Sequence, residues 1–154
     1  MKTLSEGATA PDFELPDQSG RVVKLSDVLR DGPVVLFFYP AAMTGGCTKE
    51  ACHFRDLGAE FGAAGAQRLG ISTDAVEKQQ QFSELHGFDY PLLSDADGAV
   101  ATSFGVRRRF LTPVKRATFV IDTDRTVLGV IGSEMRFDQH ADDALALLRA
   151  RQGA

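Results

Sequence analysis

The chain has 154 residues, the length of one domain with a single full core. Hydrophobic residues make up 44% and charged residues 25%, and the net charge of −4 gives no reason to expect nucleic acid or an anionic membrane surface as partner. The opening Met1-Lys2-Thr3-Leu4-Ser5-Glu6-Gly7 lacks the apolar stretch of a secretory signal, and no apolar run approaches the roughly 20 residues that span a bilayer, so a cytoplasmic protein is expected. In a reducing cytoplasm, two cysteines point to catalysis, redox sensing or metal binding before they point to a structural disulfide.

In chain order, turn signals at Pro11-Asp12, Pro16-Asp17 and Ser19-Gly20 enclose two short apolar pieces, Phe13 to Leu15 and Val22 to Leu25, which read as an N-terminal hairpin. Ser26 to Leu29 reads as one capped helical turn. Val34-Val35-Leu36-Phe37-Phe38 is continuously apolar, as expected of a strand covered on both faces, and Pro40 ends it. Phe54, Leu57 and Phe61 fall at helical spacing within a helix expected from about Cys47 to Phe61. Arg68 to Ser72 reads as a second buried strand. Asp74 is positioned to cap a helix over Ala75 to His86 that ends at Gly87. Tyr90 to Asp95 reads as a short strand, and Ala99 to Phe104 as a short helix closed by Gly105. Ala117 to Asp122 and Thr126 to Ile131 form a hairpin around Thr123-Asp124-Arg125, and Ala141 to Ala150 is a final helix. Strands alternating with helices and finishing in a hairpin give an α/β domain with a mixed central sheet flanked by helices. A thioredoxin-like fold with an N-terminal β-hairpin extension fits this order. No repeat or linker divides residues 1–154, so a single domain is expected.

The chemistry is concentrated in Thr44-Gly45-Gly46-Cys47-Thr48-Lys49-Glu50-Ala51-Cys52. Cys47 stands where a helix begins, and a thiol there is pushed toward the nucleophilic thiolate. Gly45-Gly46 lets the backbone wrap closely around the sulfur. The Thr44 hydroxyl can donate to a thiolate or to a bound oxygen. Cys52 follows five residues later, either as a second redox thiol or as a packed core thiol. Ideal helix geometry separates the two Cα atoms by roughly 8.5 Å, whereas a disulfide needs them within about 7 Å. Bonding Cys47 to Cys52 therefore requires the first turns of this helix to unwind. His53, His86 and His140 show no paired ligand spacing with the cysteines, so no metal is expected, and His53 reads as a surface or cap residue. Arg107-Arg108-Arg109 and Lys115 read as solvated surface before partner docking. Tyr39 reads as core or pocket wall, and Phe104, Phe110, Phe119 and Phe137 as packing residues.

Pro40-x-x-x-Thr44-x-x-Cys47 resembles the active-site signature of the peroxiredoxins. The likeness runs through Gly7 to Leu15, Phe38-Tyr39-Pro40, Pro91 to Asp95, Phe104-Gly105-Val106 and Arg116 to Asp122. A second cysteine five residues after the first is similar to the Q-type subfamily, the bacterioferritin comigratory proteins. The resemblance implies a thiol peroxidase without metal or organic cofactor. Cys47 would attack the terminal oxygen of a hydroperoxide, with Arg116 beside it holding the thiolate and polarising the O–O bond. Thr44 would hydrogen-bond the peroxide and the sulfur, Pro40 would shield the thiolate, Glu50 would orient Arg116, and Cys52 would be the resolving cysteine. Thioredoxin or a glutaredoxin-like protein would reduce the resulting disulfide, and the protein would be a monomer or a homodimer. Family members commonly carry proline where this chain has Gly45, which bears on how rigidly the reduced pocket is held. A thioredoxin-type thiol–disulfide oxidoreductase is the alternative, but it expects two residues between its cysteines where this chain has four. A peroxide sensor that signals through Cys47 oxidation is the other.

Overall fold

The apolar run expected as a doubly covered strand is β3, Val34–Phe38, and every residue in it is buried. Its alternation sorts side chains to two separate cores. Val35 and Phe37, with Tyr39 just beyond the strand, face one, and Val34, Leu36 and Phe38 face the other. This two-sided burial is why the sequence shows no polar alternation there. The structure is a computed structural model and describes residues 2–133 and 136–153.

An antiparallel hairpin of β1 (Glu14–Pro16) and β2 (Val22–Lys24) opens the chain, with Leu15 opposite Val23. A single turn, α1 (Leu25–Val28), runs into a 3-10 turn over Leu29–Asp31. Asp12 holds its entry by accepting from the Ser26 and Phe13 N–H groups. The main sheet adds β4 (Gln67–Ser72), β5 (Leu92–Ser94), β6 (Ala117–Ile121) and β7 (Val127–Ile131) to β3. The strand order is β5-β4-β3-β6-β7, parallel from β3 through β5 and antiparallel at β6 and β7. The helices between and after the strands are α2 (Gly45–Asp56), α3 (Gly58–Ala63), α4 (Val76–His86), α5 (Ala99–Ser103) and α6 (Gln139–Gln152). One core packs α2, α3, α4 and α6 on the sheet through Phe54, Phe61, Phe82, Leu145 and Leu148. The opposite core holds Leu25, Leu29, Val100 and Phe104. This is the α/β thioredoxin-like fold, a five-stranded mixed sheet with helices and an N-terminal two-stranded hairpin.

Three expectations need correction. The single helix expected from Cys47 to Phe61 breaks at Leu57 into α2 and α3. The Phe54 carbonyl, which would accept the Gly58 N–H in an unbroken helix, instead accepts from the Arg68 guanidinium at 2.9 Å. Asp74 does not cap α4, whose N-cap is Ala75 with no side-chain hydrogen bond. Its carboxylate accepts the Ala42 N–H and the Ser72 hydroxyl, both at 2.7 Å, and so anchors the loop that leads from β3 to α2. Phe110, expected to pack, is 80% exposed beside the fully protruding Leu111. Among the described residues, no helix is long and apolar enough to cross a membrane.

Candidate active site

Two registers bring the sequence-distant residues together. β6 runs antiparallel to β3 with Phe38 opposite Ala117, so Arg116 precedes β6 where the chain leaves β3 toward α2. Side chains two apart on a strand share a face. Thr118 and Val120 therefore point with Arg116 to the side covered by α2 and α6, as Phe37 and Val35 do on the paired strand. The stacked rings of Phe37 and Phe54, 4.1 Å apart and nearly coplanar in orientation, fix α2 against this face.

Thr44 is the N-cap residue of α2, with extended backbone (φ −86°, ψ 156°), and Thr48 N–H makes the bond to the Thr44 carbonyl at 2.9 Å. The N–H groups of Gly45, Gly46 and Cys47 precede that bond and have no intrahelical acceptor, which gives this end of the helix its positive character. Cys47 lies in this first turn and is 1% exposed. The Arg116 guanidinium donates to its sulfur at 3.4 Å through Nη2 and to Glu50 Oε1 at 2.9 Å through Nη1. Glu50 is one helical turn after Cys47 and fully buried, so a single arginine bridges the sulfur and the carboxylate. Burial works against the Arg116 charge, but the Glu50 carboxylate and the Cys47 sulfur more than offset it and hold the guanidinium above its ordinary range.

Phe137 closes the outer side of this arrangement, its ring 4.7 Å from the Arg116 guanidinium carbon. A Cβ on Gly46 would lie 2.7 Å from that ring and 3.3 Å from Arg116 Nη2, so only glycine lets the helix turn approach this closely. Gly45 differs. A Cβ there meets nothing within 4 Å, and its φ lies outside the left-handed region. Proline suits the first helical position, and Thr44 already has the extended backbone that a following proline demands. Gly45→Pro is therefore expected to stabilise the reduced protein by about 0.4–1 kcal/mol, chiefly by restricting the unfolded chain. A rise in the urea midpoint at unchanged slope checks this, and a fall contradicts it.

The Thr44 hydroxyl donates to the Ala41 carbonyl at 2.8 Å, and Pro40 is half-buried at the end of β3. Cys52 lies in the same unbroken helix as Cys47, and both thiols are free. It is half-buried beside a shallow cavity lined by Lys49, His53, Asp56, Phe137 and Asp138. Burial raises its thiol above the ordinary range, Arg55 opposes and Asp56 adds to the effect, and the group is protonated near neutral pH. His53 pairs with Asp142 at 2.8 Å on the surface. Tyr39 is buried and bonds Gln79, far from any acid–base role because burial raises its hydroxyl strongly.

Among relatives, peroxiredoxin Q of Sedum lineare chloroplasts is 40% identical over 148 residues, 96% of this chain and 79% of that protein. The AhpC/TSA family profile matches residues 7–130. The chain belongs to the AhpC/TSA family, the peroxiredoxins. It is a thiol peroxidase. The crystal structure of peroxidoxin BcpB from Mycobacterium tuberculosis superposes with a TM-score of 0.93 at 65% identity, covering 96% of this chain and 97% of that one. The bacterioferritin comigratory protein of Xanthomonas campestris, described with an alkyl peroxide reduction activity, gives 0.84 at 31% identity over 97% of both chains.

The structure thus puts Arg116 in contact with both Cys47 and Glu50, with Thr44 as the N-cap of their helix, Cys52 further along it and Pro40 in the segment that leads to it. Sequence reasoning gave Phe137 no role beyond packing and His140 and Thr118 none at all. His140 is fully buried, with Nδ1 2.7 Å from the Thr118 hydroxyl and 3.6 Å from Glu50 Oε2. No spacing in the chain announces these residues, because they reach the site only through the β3–β6 register and the packing of α6.

Proposed function

We propose that this peroxiredoxin reduces hydrogen peroxide and organic hydroperoxides through a sulfenic acid on Cys47, that Cys52 resolves this as an intramolecular disulfide, and that thioredoxin or a glutaredoxin-like protein reduces the disulfide. The observation that carries the reading is the Arg116 guanidinium held 3.4 Å from the Cys47 sulfur by a buried carboxylate. The cation favours the charged form of the sulfur it touches. The thiolate attacks the terminal oxygen of the peroxide, an S–O bond forms and the O–O bond breaks. Charge passes to the departing oxygen, which takes up a proton to leave as water or an alcohol. Arg116 and the first N–H groups of α2 are donors already in place to stabilise that charge. The Thr44 proton is committed to the Ala41 carbonyl, so its oxygen faces the peroxide as an acceptor for the terminal O–H. Pro40 limits access of water to the sulfur.

Resolution requires movement. With both cysteines in one helix the Cα atoms stand about 8.5 Å apart, too far for a disulfide. The first turns of α2 unwind, the Cys52 thiol leaves its partly buried site, loses its proton and attacks the sulfenic sulfur, and water departs. An external dithiol then restores both thiols by exchange. A cytoplasmic setting fits this cycle, because that compartment keeps dithiols reduced. The X. campestris protein's alkyl peroxide activity supports organic hydroperoxides among the substrates here.

Cys52→Ser tests the division of labour. Cys47 oxidation by peroxide is expected to proceed at close to the wild-type rate and to stop at one added oxygen, while thioredoxin-dependent turnover is lost. Intact mass after a single turnover reads this. Full thioredoxin-dependent turnover by Cys52→Ser would remove Cys52 from the cycle.

A further inference from the structure

His140 is a buried titratable side chain in the first turn of α6 that the steps above leave unused. Its Nε2 lies 2.6 Å from the Ser133 carbonyl oxygen, and since a carbonyl only accepts, Nε2 carries a proton. On the other side of the ring, Nδ1 meets the Thr118 hydroxyl and approaches Glu50 Oε2, while the second oxygen of that carboxylate accepts from Arg116. Ser133 and Phe137 both precede α6, and Phe137 is the ring that covers Arg116. One imidazole therefore touches both the carboxylate that orients the arginine and the backbone that leads to the arginine's cover.

We propose that His140 is a positioning residue that couples the Glu50–Arg116 pair to the Phe137 cover and links that cover to the redox state of the cysteines. The proposal rests on the peroxidase cycle described above. Glu50 lies between the two cysteines, three residues after Cys47 and two before Cys52, inside the stretch that must unwind for them to bond. Disulfide formation therefore withdraws Glu50 from Arg116 and from His140 together. Without the carboxylate, the imidazole loses one side of its seat and its hold on Ser133 weakens. Phe137 then separates from Arg116. Phe137 and Asp138 also line the cavity that Cys52 leaves, so their departure opens this face of the oxidised protein to the incoming dithiol. In the reduced enzyme the same contacts keep Arg116 aimed at Cys47.

Two measurements test this on the full-length protein. The first is amide hydrogen exchange over residues 136–139, in the reduced protein and in the disulfide form made with diamide, which does not depend on peroxide chemistry. Exchange there is expected to rise on disulfide formation. The second is the single-turnover rate of Cys47 oxidation by hydrogen peroxide in His140→Leu and His140→Gln. His140→Leu is expected to be slower by about tenfold or more, the loss that accompanies removal of a hydrogen bond near a charged group. Its 136–139 amides should already exchange fast in the reduced state. Glutamine can still donate to the Ser133 carbonyl, so His140→Gln should recover part of both. Equal exchange in the two redox forms of the wild type, or a wild-type oxidation rate in His140→Leu, overturns the proposal. Should His140→Leu fail to fold, the wild-type exchange decides, and equal exchange over residues 136–139 in the two redox forms is the refutation. Failure of the peroxidase reading shows differently, as a wild-type rate no faster than free cysteine.

Discussion

Cys47→Ser is expected to reduce peroxide consumption to the background of buffer, with the fold intact. The serine hydroxyl has nearly the same shape as the thiol it replaces but stays protonated at neutral pH, and oxygen does not accept a second oxygen as sulfur does. Every other member of the site works through this sulfur. Arg116 points at it, the first turn of α2 surrounds it, and Phe137 shields the arginine that serves it. Cys52 cannot substitute, because burial holds it as a thiol, with Arg55 opposing that effect and Asp56 adding to it. A thioredoxin-coupled assay with hydrogen peroxide checks the result, with the folded state of the variant confirmed by circular dichroism. Turnover retained by Cys47→Ser would contradict the assignment of the nucleophile.

Arg116→Ala carries the second-largest expected effect. Removing one preorganised donor to developing charge typically costs about 10²–10³ in rate, and Arg116 also favours the thiolate that begins the reaction. The oxidation rate of Cys47 by hydrogen peroxide should fall by about that factor. Stability should fall as well, because the fully buried Glu50 loses the partner that balances its charge. Breaking such a pair from one side costs about 3–5 kcal/mol. The rate is therefore compared well below the midpoint of thermal unfolding. Arg116→Lys keeps the positive charge but cannot bond the sulfur and the carboxylate at once as the planar guanidinium does, so it should recover most of the stability and only a fraction of the rate. An oxidation rate within a few-fold of wild type in Arg116→Ala would mean that the helix N-terminus alone activates the sulfur.

Much of this was legible in the chain, and the reasons are physical. The apolar run at Val34 to Phe38, closed by Pro40, read as a strand buried on both faces, and it is one. The order of strands and helices carried the fold, and both hairpins were marked by their turn residues. Cys47 after Gly45-Gly46 marked the reactive position because the backbone there is free to begin a helix around a sulfur. What stayed hidden depended on register and on tertiary competition. α2 ends early because Arg68, eleven residues beyond Leu57, takes the Phe54 carbonyl. Asp74 stands where a cap is expected but serves the loop before α2 instead, a choice that only the proximity of Ala42 reveals. Phe110 carries the signature of a core residue and is 80% exposed, since the chain turns outward between the buried Val106 and the buried Val114. His140 and Phe137 meet the site across the β3–β6 register and the start of α6, and a linear reading contains neither.

The most direct measurement is rapid mixing of the reduced protein with hydrogen peroxide, quenching with an alkylating agent, and reading intact mass, with free cysteine alongside as the rate reference. A cycle run by Cys47 and Cys52 requires oxidation far faster than that of free cysteine, ending in a species that has lost two hydrogens and in which neither Cys47 nor Cys52 can be alkylated. A rate no better than that of free cysteine would contradict it.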